Sequence, residues 1–146
     1  MKLYTIGFTK KTAQHFFTLL RDHHVQCLID TRLHSNSQLS AFAKEDDLPY
    51  FLQNLADCTY QRMETLAPSD SLLKAYRQNH DWQCYTQGYL ALMQQRNIPM
   101  TLDRAFFQET SCCFLCSEAT PEQCHRRLLA DLLAAAWQDV EIIHLV

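Results

Sequence analysis

Glycine is nearly absent from this sequence. Only Gly7 and Gly88 occur among its 146 residues. A dinucleotide-binding loop of the GxGxxG type needs three closely spaced glycines, so the sequence contains no such loop. Gly7 directly follows the β-forming run LYTI. We expect a local reason for it, either a backbone with positive φ or the close approach of another part of the chain.

Long apolar runs and an excess of positive charge are also missing. No stretch reaches the roughly 18 apolar residues that cross a bilayer, so we expect a soluble protein with no membrane partner. There are 13 basic and 16 acidic residues, a net charge of −3, which leaves no global positive field for duplex nucleic acid. The seven cysteines are odd in number and lie in apolar segments. They argue against a secreted disulfide framework and predict reduced thiols in the cytoplasm.

Strand-like and helical segments alternate along the chain. Apolar, β-rich runs predict strands over residues 3–8, 25–32, 58–63, 111–116 and 140–146. Helical spacing or capping signals predict helices within residues 9–25, 46–56, 67–78, 81–96 and 101–109, and from 121 onward, whereas residues 33–40 are expected to form a loop. This alternation predicts a small single α/β domain over residues 1–146, with a mostly parallel sheet flanked by helices in Rossmann-like layers.

The segment CSEATPEQCHRR, residues 116–127, combines polar and reactive side chains where a strand passes into a helix. Thr120 is a good N-cap, Pro121 suits the first helical position, and Gln123 completes a capping box, so we expect the helix to begin there. Cys124 lies one turn before Leu128. It is therefore either a small apolar side chain at the top of the helix's core stripe or a reactive thiol.

Metal binding and thiol chemistry can be weighed from spacing. Four extended residues place Cys112 and Cys116 about 13 Å apart, too far to share one zinc ion, and no CxxC or HxxxH pair is present, so no metal site is predicted. A helix N-terminus and a nearby arginine favour a thiolate at Cys124 or Cys116. The negative charges of Glu118 and Glu122 at the same end of the helix would raise the pKa of such a thiol and disfavour the thiolate. A nucleophilic thiol therefore stays an open alternative.

Polar residues follow several of the predicted strands. In a parallel sheet the carboxyl ends of the strands open on one edge, which is where ligands bind. The residues that should meet there are Gly7, Asp30, Arg32, Glu118, His125 and Arg126. They would form either a ligand site or a structural ion-pair network, such as Asp30 with Arg126 or Glu118 with Arg32. In mid-chain, Trp82, Tyr85, Tyr89 and Met93 fall at helical spacing, which favours core packing over an exposed aromatic platform for bases.

Three stretches together resemble a known family. YTIGF, IDTR and LCSEATPEQCHR occur in the order seen in the domain of unknown function 488 family, and the resemblance runs from Tyr4 to His144. The matching positions are Thr5, Ile6, Gly7, Asp30, Arg32, Cys116, Glu118, Pro121, Cys124, His125 and Arg126. The resemblance implies a small α/β domain with a cluster at one edge, and some members carry a label that connects them with DNA repair. Residues 66–68 are Leu-Ala-Pro where the family usually has Leu-Gly-Gly, which puts in doubt any ligand contact through glycine backbone there.

We expect the edge to bind a small anionic or nucleotide-like ligand, with or without catalysis. Arg32 and Arg126 would hold the anion, with Gly7 and Cys116 beside it. The candidate acid, base and reactive groups are Asp30, Glu118, Cys124 and His125. A nucleic-acid-associated module linked to repair and an interaction scaffold with a buried ion-pair network are the alternatives. No cofactor is predicted, and an oligomer is compatible with the sequence.

Overall fold

The computed structural model describes residues 1–146. Its centre is one sheet of five strands in the order β3-β2-β4-β1-β5, and every neighbouring pair is parallel. The strands are β1 (Lys2–Gly7), β2 (Cys27–Asp30), β3 (Thr59–Arg62), β4 (Cys112–Cys116) and β5 (Glu141–Leu145). The predicted α/β class with a parallel sheet is confirmed.

Six α-helices flank the sheet or connect its strands. They are α1 (Ala13–Asp22), α2 (Leu48–Ala56), α3 (Asp70–Asn79), α4 (Trp82–Gln95), α5 (Arg104–Glu109) and α6 (His125–Trp137). Short 3-10 segments span Gln38–Ala43 and Glu64–Leu66, the first of them overlapping the predicted loop. None of the helices combines the length and the apolar character that crossing a membrane requires.

The sheet is buried on both faces, which explains its nearly continuous apolar strands. On one face, α1 and α2 supply Phe16 and Leu52, which belong to the same apolar cluster as Tyr4 of β1. On the other face, Tyr89 of α4 and residues of α6 belong to the cluster that contains Leu3. Successive residues of β1 therefore serve opposite cores, as a period of two requires.

The predicted start of the last helix is wrong. We expected it at Thr120 and Pro121, but α6 begins at His125, and Cys124 before it is extended, with φ −139° and ψ 139°. The carbonyls of residues 117–119 accept hydrogen bonds from Thr9, Arg126 and Lys11, respectively. These tertiary contacts hold the loop in a non-helical path, so they override the local capping signal.

Candidate functional site

A cleft of about 1050 Å³ opens at the carboxyl edge of the sheet. Its floor and rim come from the segments that follow β1, β2 and β4, and its far wall comes from α3 and α4. Ligand pockets in proteins typically have volumes of about 300–1,000 Å³, so the cleft is large enough for a nucleotide-sized molecule. Two groups of side chains lie at its base, one beside β2 and one beside β4.

The first group, the carboxylate cluster, consists of Asp30, Arg32 and Tyr60. Nε of Arg32 lies 2.9 Å from Oδ1 of Asp30, and Nη2 lies 2.8 Å from Oδ2, so the guanidinium binds the carboxylate with two parallel hydrogen bonds. The Tyr60 hydroxyl donates to Oδ2 at 2.6 Å. Burial raises the pKa of Tyr60, and the hydrogen bond to Asp30 raises it further. The cluster is therefore a charge-balanced unit held by strong hydrogen bonds.

Arg32 also reaches beyond its carboxylate. Nη2 donates to the carbonyl of Ala43 at 2.8 Å, and the guanidinium carbon lies 5.3 Å from the centre of the Phe8 ring. Its second terminal nitrogen, Nη1, is buried without a hydrogen-bond partner. Because Arg32 lines the cleft, this nitrogen is a donor that an anionic ligand could satisfy.

The second group, the thiol cluster, consists of Cys116, Cys124, His125 and Arg126. The two sulfur atoms are 2.7 Å apart, with Cys124 as the donor, and Nδ1 of His125 lies 3.5 Å from the sulfur of Cys116. All four side chains are buried, but those of Cys116, Cys124 and His125 line the cleft. The extended backbone at Cys124 is what places its thiol beside the end of β4.

The orientation of His125 follows from its contacts with Thr31. Nε2 lies 2.9 Å from the carbonyl oxygen of Thr31 and 3.0 Å from its hydroxyl oxygen, and that hydroxyl donates to the carbonyl of Leu115 at 2.8 Å. A carbonyl can only accept, so Nε2 carries a proton. The other ring nitrogen, Nδ1, therefore faces Cys116.

The thiols of this cluster differ in their acidity. Burial by itself would raise the pKa of Cys116, but the hydrogen bond from Cys124 and the charge of His125 lower that pKa well below its ordinary value. Burial and the hydrogen bond to Cys116 raise the pKa of Cys124 well above its ordinary value. Burial lowers the pKa of His125, but the adjacent Cys116 reverses this and leaves the pKa raised. These directions favour negative charge on Cys116 and positive charge on His125.

Arg126 has no carboxylate partner, although its side chain is 0% exposed. Nη1 donates to the carbonyl of Glu118 at 2.6 Å and lies 3.7 Å from the sulfur of Cys124, whereas Nε and Nη2 have no partner. A buried cation needs a nearby negative charge. The ionisable side chain that Arg126 contacts in this cluster is the thiol of Cys124; the guanidinium acts to lower the pKa of this thiol, but burial and the hydrogen bond to Cys116 keep it raised.

Gly7 is required because the chain approaches it closely. A Cβ atom at this position would lie 1.6 Å from the carbonyl oxygen of Glu118 and 2.7 Å from Nη1 of Arg126. Neither glycine of the chain has a positive φ, so close approach, one of the two expected reasons, applies here. Gly7 thus lets the loop after β4 lie against the end of β1.

The remaining walls of the cleft carry an acid and several aromatic rings. Burial raises the pKa of Glu118, and the neighbouring Cys116 raises it further. On the opposite wall, the rings of Trp82 and Tyr85 are stacked, with centroids 5.1 Å apart and planes 15° apart. Tyr85 is buried and Trp82 is half-buried, so the predicted core stripe of α4 also lines the cleft.

One set of side chains could hold a metal ion. A donor atom from each of Cys116, Cys124 and His125 lies within 4.8 Å of the others. Two sulfurs and one imidazole nitrogen are donors that zinc prefers. The buried guanidinium of Arg126 next to them opposes a dication on electrostatic grounds. The sequence-based prediction that residues 116–127 bind no metal therefore stays a prediction.

The structure sorts the predicted site residues into two kinds. Those that line the cleft are Arg32, Cys116, Glu118, Cys124 and His125, whereas Gly7, Asp30 and Arg126 lie outside its lining. Neither of the two ion pairs suggested for a structural network, Asp30 with Arg126 and Glu118 with Arg32, is formed, because Asp30 and Arg32 pair with each other. Sequence reasoning overlooked Thr31 and Tyr60. The position of Thr31 between Asp30 and Arg32 could have indicated that it belongs to the site. Tyr60 could not have been found in this way, because it reaches Asp30 only through the pairing of β3 with β2.

Comparison with known proteins assigns the chain to a family. Residues 12–133 match the model of the family described as Domain of unknown function DUF488, so the chain belongs to that family. No curated protein and no solved structure matches the chain. The resemblance drawn from YTIGF, IDTR and LCSEATPEQCHR is confirmed.

Proposed function

We propose that this member of the DUF488 family binds a small anionic, nucleotide-like molecule in the cleft at the carboxyl edge of its sheet. The observation that carries the proposal is the unpartnered Nη1 of Arg32, a residue that lines the cleft and is 2% exposed. Asp30 holds the guanidinium in one orientation through two hydrogen bonds. The donor is thus positioned before the ligand arrives, which lowers the entropic cost of binding.

The walls of the cleft suit the rest of such a ligand. The half-buried ring of Trp82 offers a surface on which a base can stack. Cys116 and His125 form the reactive pair beside the anion, and Glu118, whose pKa is raised, is the candidate acid. Arg126 does not line the cleft, so its role is to hold the loop at Glu118 and to place a positive charge beside Cys124. Asp30 positions Arg32 and does not contact the ligand.

Ligand binding can be tested by thermal shift and calorimetry with inorganic phosphate, sugar phosphates and nucleoside mono- and diphosphates. We expect nucleotides to raise Tm most, since a ligand that binds only the folded state stabilises it by mass action. Arg32→Lys keeps a positive charge beside Asp30 but removes the planar guanidinium with its several N–H donors. This variant should weaken nucleotide binding about tenfold or more. Arg104→Lys, at a surface ion pair outside the cleft, is the matched control.

A second variant separates the base from the anion. Trp82→Leu should weaken the binding of nucleotides by about 1–3 kcal/mol and leave the binding of inorganic phosphate unchanged. If no compound raises Tm, or if the stabilisation survives Arg32→Lys, the proposal fails. If the chain is instead retained on DNA or RNA with a steep dependence on salt, and Arg32→Lys weakens this retention, the nucleic-acid alternative takes its place.

A further inference from the structure

The sulfur atoms of Cys116 and Cys124 are arranged for bonding to each other. They lie 2.7 Å apart. A disulfide bond is about 2.05 Å long, whereas two sulfurs on one tetrahedral zinc, with bonds of about 2.3 Å, lie about 3.8 Å apart. The sulfurs would have to separate by roughly 1 Å to share a metal, but would have to approach by less than that to bond. The geometry therefore favours a sulfur–sulfur bond over a shared metal ion.

The surroundings give the two thiols different roles. Cys124 donates its proton toward Cys116, and His125 directs Nδ1 at the same acceptor sulfur from 3.5 Å. Cys116 is therefore the thiolate that attacks an oxidant, and Cys124 is the thiol that resolves the product. The guanidinium of Arg126, 3.7 Å from the second sulfur, supports negative charge on the resolving thiol as it reacts.

Access to the pair is narrow. Both cysteines line the cleft, but Cys116 is only 5% exposed and Cys124 only 2%. A bulky disulfide acting as the oxidant would have to bring its S–S bond into line with a cysteine sulfur at the bottom of the cleft. A hydroperoxide, whose reactive end is little larger than water, needs only a small opening. The site is therefore suited to a small peroxide.

We propose that Cys116 and Cys124 are a redox-active pair that forms a reversible disulfide when hydrogen peroxide or a similarly small hydroperoxide enters the cleft. The proposal goes beyond the ligand site and does not depend on it.

The chemistry balances with the groups present. The Cys116 thiolate attacks one peroxide oxygen, the O–O bond breaks, and the departing hydroxide takes a proton from His125 to form water, leaving a sulfenic acid on Cys116. The sulfur of Cys124 then attacks the Cys116 sulfur, the S–O bond breaks, and the hydroxide leaves as water with the proton of the Cys124 thiol. In sum, two thiols lose two electrons and two protons, and peroxide becomes two waters. A dithiol such as dithiothreitol returns the pair to its reduced state.

A second cysteine pair provides an internal control. Cys27 and Cys112 face each other across β2 and β4 and are both buried. A hydrogen bond from Cys112 lowers the pKa of Cys27 to about 7. Neither residue lines the cleft, so peroxide should leave this pair reduced.

The test is a count and a map of thiols. Reduced protein, freed of reductant, is treated with a few equivalents of hydrogen peroxide, denatured, blocked with N-ethylmaleimide and digested with a protease that cleaves after glutamate. Blockable thiols should fall from seven to five. Cleavage after Glu118 and Glu122 should leave peptide 110–118 linked by a disulfide to peptide 123–141. Dithiothreitol should restore all seven thiols.

Variants assign the order of events. Cys124→Ser should stop the reaction at a sulfenic acid on Cys116, trapped with dimedone, and Cys116→Ser should leave Cys124 reduced. Cys84→Ser, at the exposed cysteine, should still form the disulfide. Seven unchanged thiols, a link between peptides 1–45 and 110–118, or oxidation spread over several cysteines would overturn the proposal. So would one equivalent of zinc that is held by wild-type protein and lost in Cys116→Ser. The wild-type thiol count needs no added ligand, so it is independent of the nucleotide test.

Discussion

The carboxylate cluster and the thiol cluster each bury an arginine at the same edge of the sheet, but they balance its charge differently. Arg32 is bound by two hydrogen bonds to Asp30, whose carboxylate also accepts from Tyr60. Arg126 donates one hydrogen bond to the Glu118 carbonyl, and its nearest candidate anions are thiols. A carboxylate is ionised at any physiological pH, whereas a thiol is ionised only when its surroundings favour it. The first cluster thus pairs its arginine with a carboxylate, whereas the charge of the second depends on the protonation or oxidation of its thiols.

The largest expected difference appears when each arginine is replaced by a methionine. Arg32→Met strands the buried carboxylate of Asp30 and should lower the free energy of unfolding by about 3–5 kcal/mol. Arg126→Met strands no carboxylate and removes two unsatisfied nitrogens, and it loses only the hydrogen bonds to the Glu118 carbonyl and the Cys124 sulfur, so we expect a smaller loss of about 1–3 kcal/mol.

Urea denaturation at pH 7 measures both losses in free energy. Arg104→Met, at a surface ion pair, is the control and should change stability by about 1 kcal/mol or less. Equal losses of free energy for Arg32→Met and Arg126→Met would mean that the charges of the two arginines are balanced in the same way. This result would contradict the difference between the two clusters.

A moderate effect is expected where the loop of the thiol cluster meets β1. Gly7→Ala would place a Cβ atom against the backbone of Glu118, which must shift, and we expect a loss of about 1–3 kcal/mol. Gly88→Ala meets only the flexible tip of Leu72 and improves helix propensity, so it should be close to neutral or stabilising by up to about 1 kcal/mol. Thermal denaturation of the two variants side by side measures the difference, and similar Tm values would argue against the close packing at Gly7.

The smallest effect concerns the pH dependence of Cys116. Because the thiolate is the nucleophile and the pKa of Cys116 lies well below its ordinary value, its alkylation by iodoacetamide should hardly slow from pH 9 to pH 7. Glutathione in the same buffers is the control and should slow by about tenfold per pH unit below its pKa.

His125→Asn tests the cause of this lowered pKa. It removes the cation beside Cys116, so alkylation of Cys116 at pH 7 should slow by about tenfold or more. Site-resolved mass spectrometry measures the rate at each cysteine. If Cys116 in wild-type protein slows as glutathione does, the thiol cluster contains no thiolate.

Much of the fold was predictable because it depends on local patterns. The apolar run that became β2 predicts a strand covered on both faces, and the alternation of strands with helices predicts a parallel sheet. The parallel sheet in turn brings the residues after β2 and β4 to one edge. Hence the amino-acid sequence is enough to predict that the segments carrying Asp30, Arg32, His125 and Arg126 lie at the same edge of the sheet.

The partners within that edge could not be predicted, since the path of the loops decides which side chains touch and local sequence patterns do not specify that path. The capping signal at Thr120 predicted a helix there, but contacts from Thr9, Lys11 and Arg126 to the loop carbonyls hold the loop in a non-helical path. Tyr60 completes the carboxylate cluster only because β3 pairs with β2.

The sequence by itself determined that the polar groups following β2 and β4 reach one edge, because strand periodicity and parallel topology act through local patterns. Only the tertiary structure decided that Asp30 pairs with Arg32, that Arg126 is left without a carboxylate, and that the two thiols touch. The reason is physical. The Gly7 contact fixes the path of the loop after β4, and that path places Cys124 against Cys116 instead of in the helix.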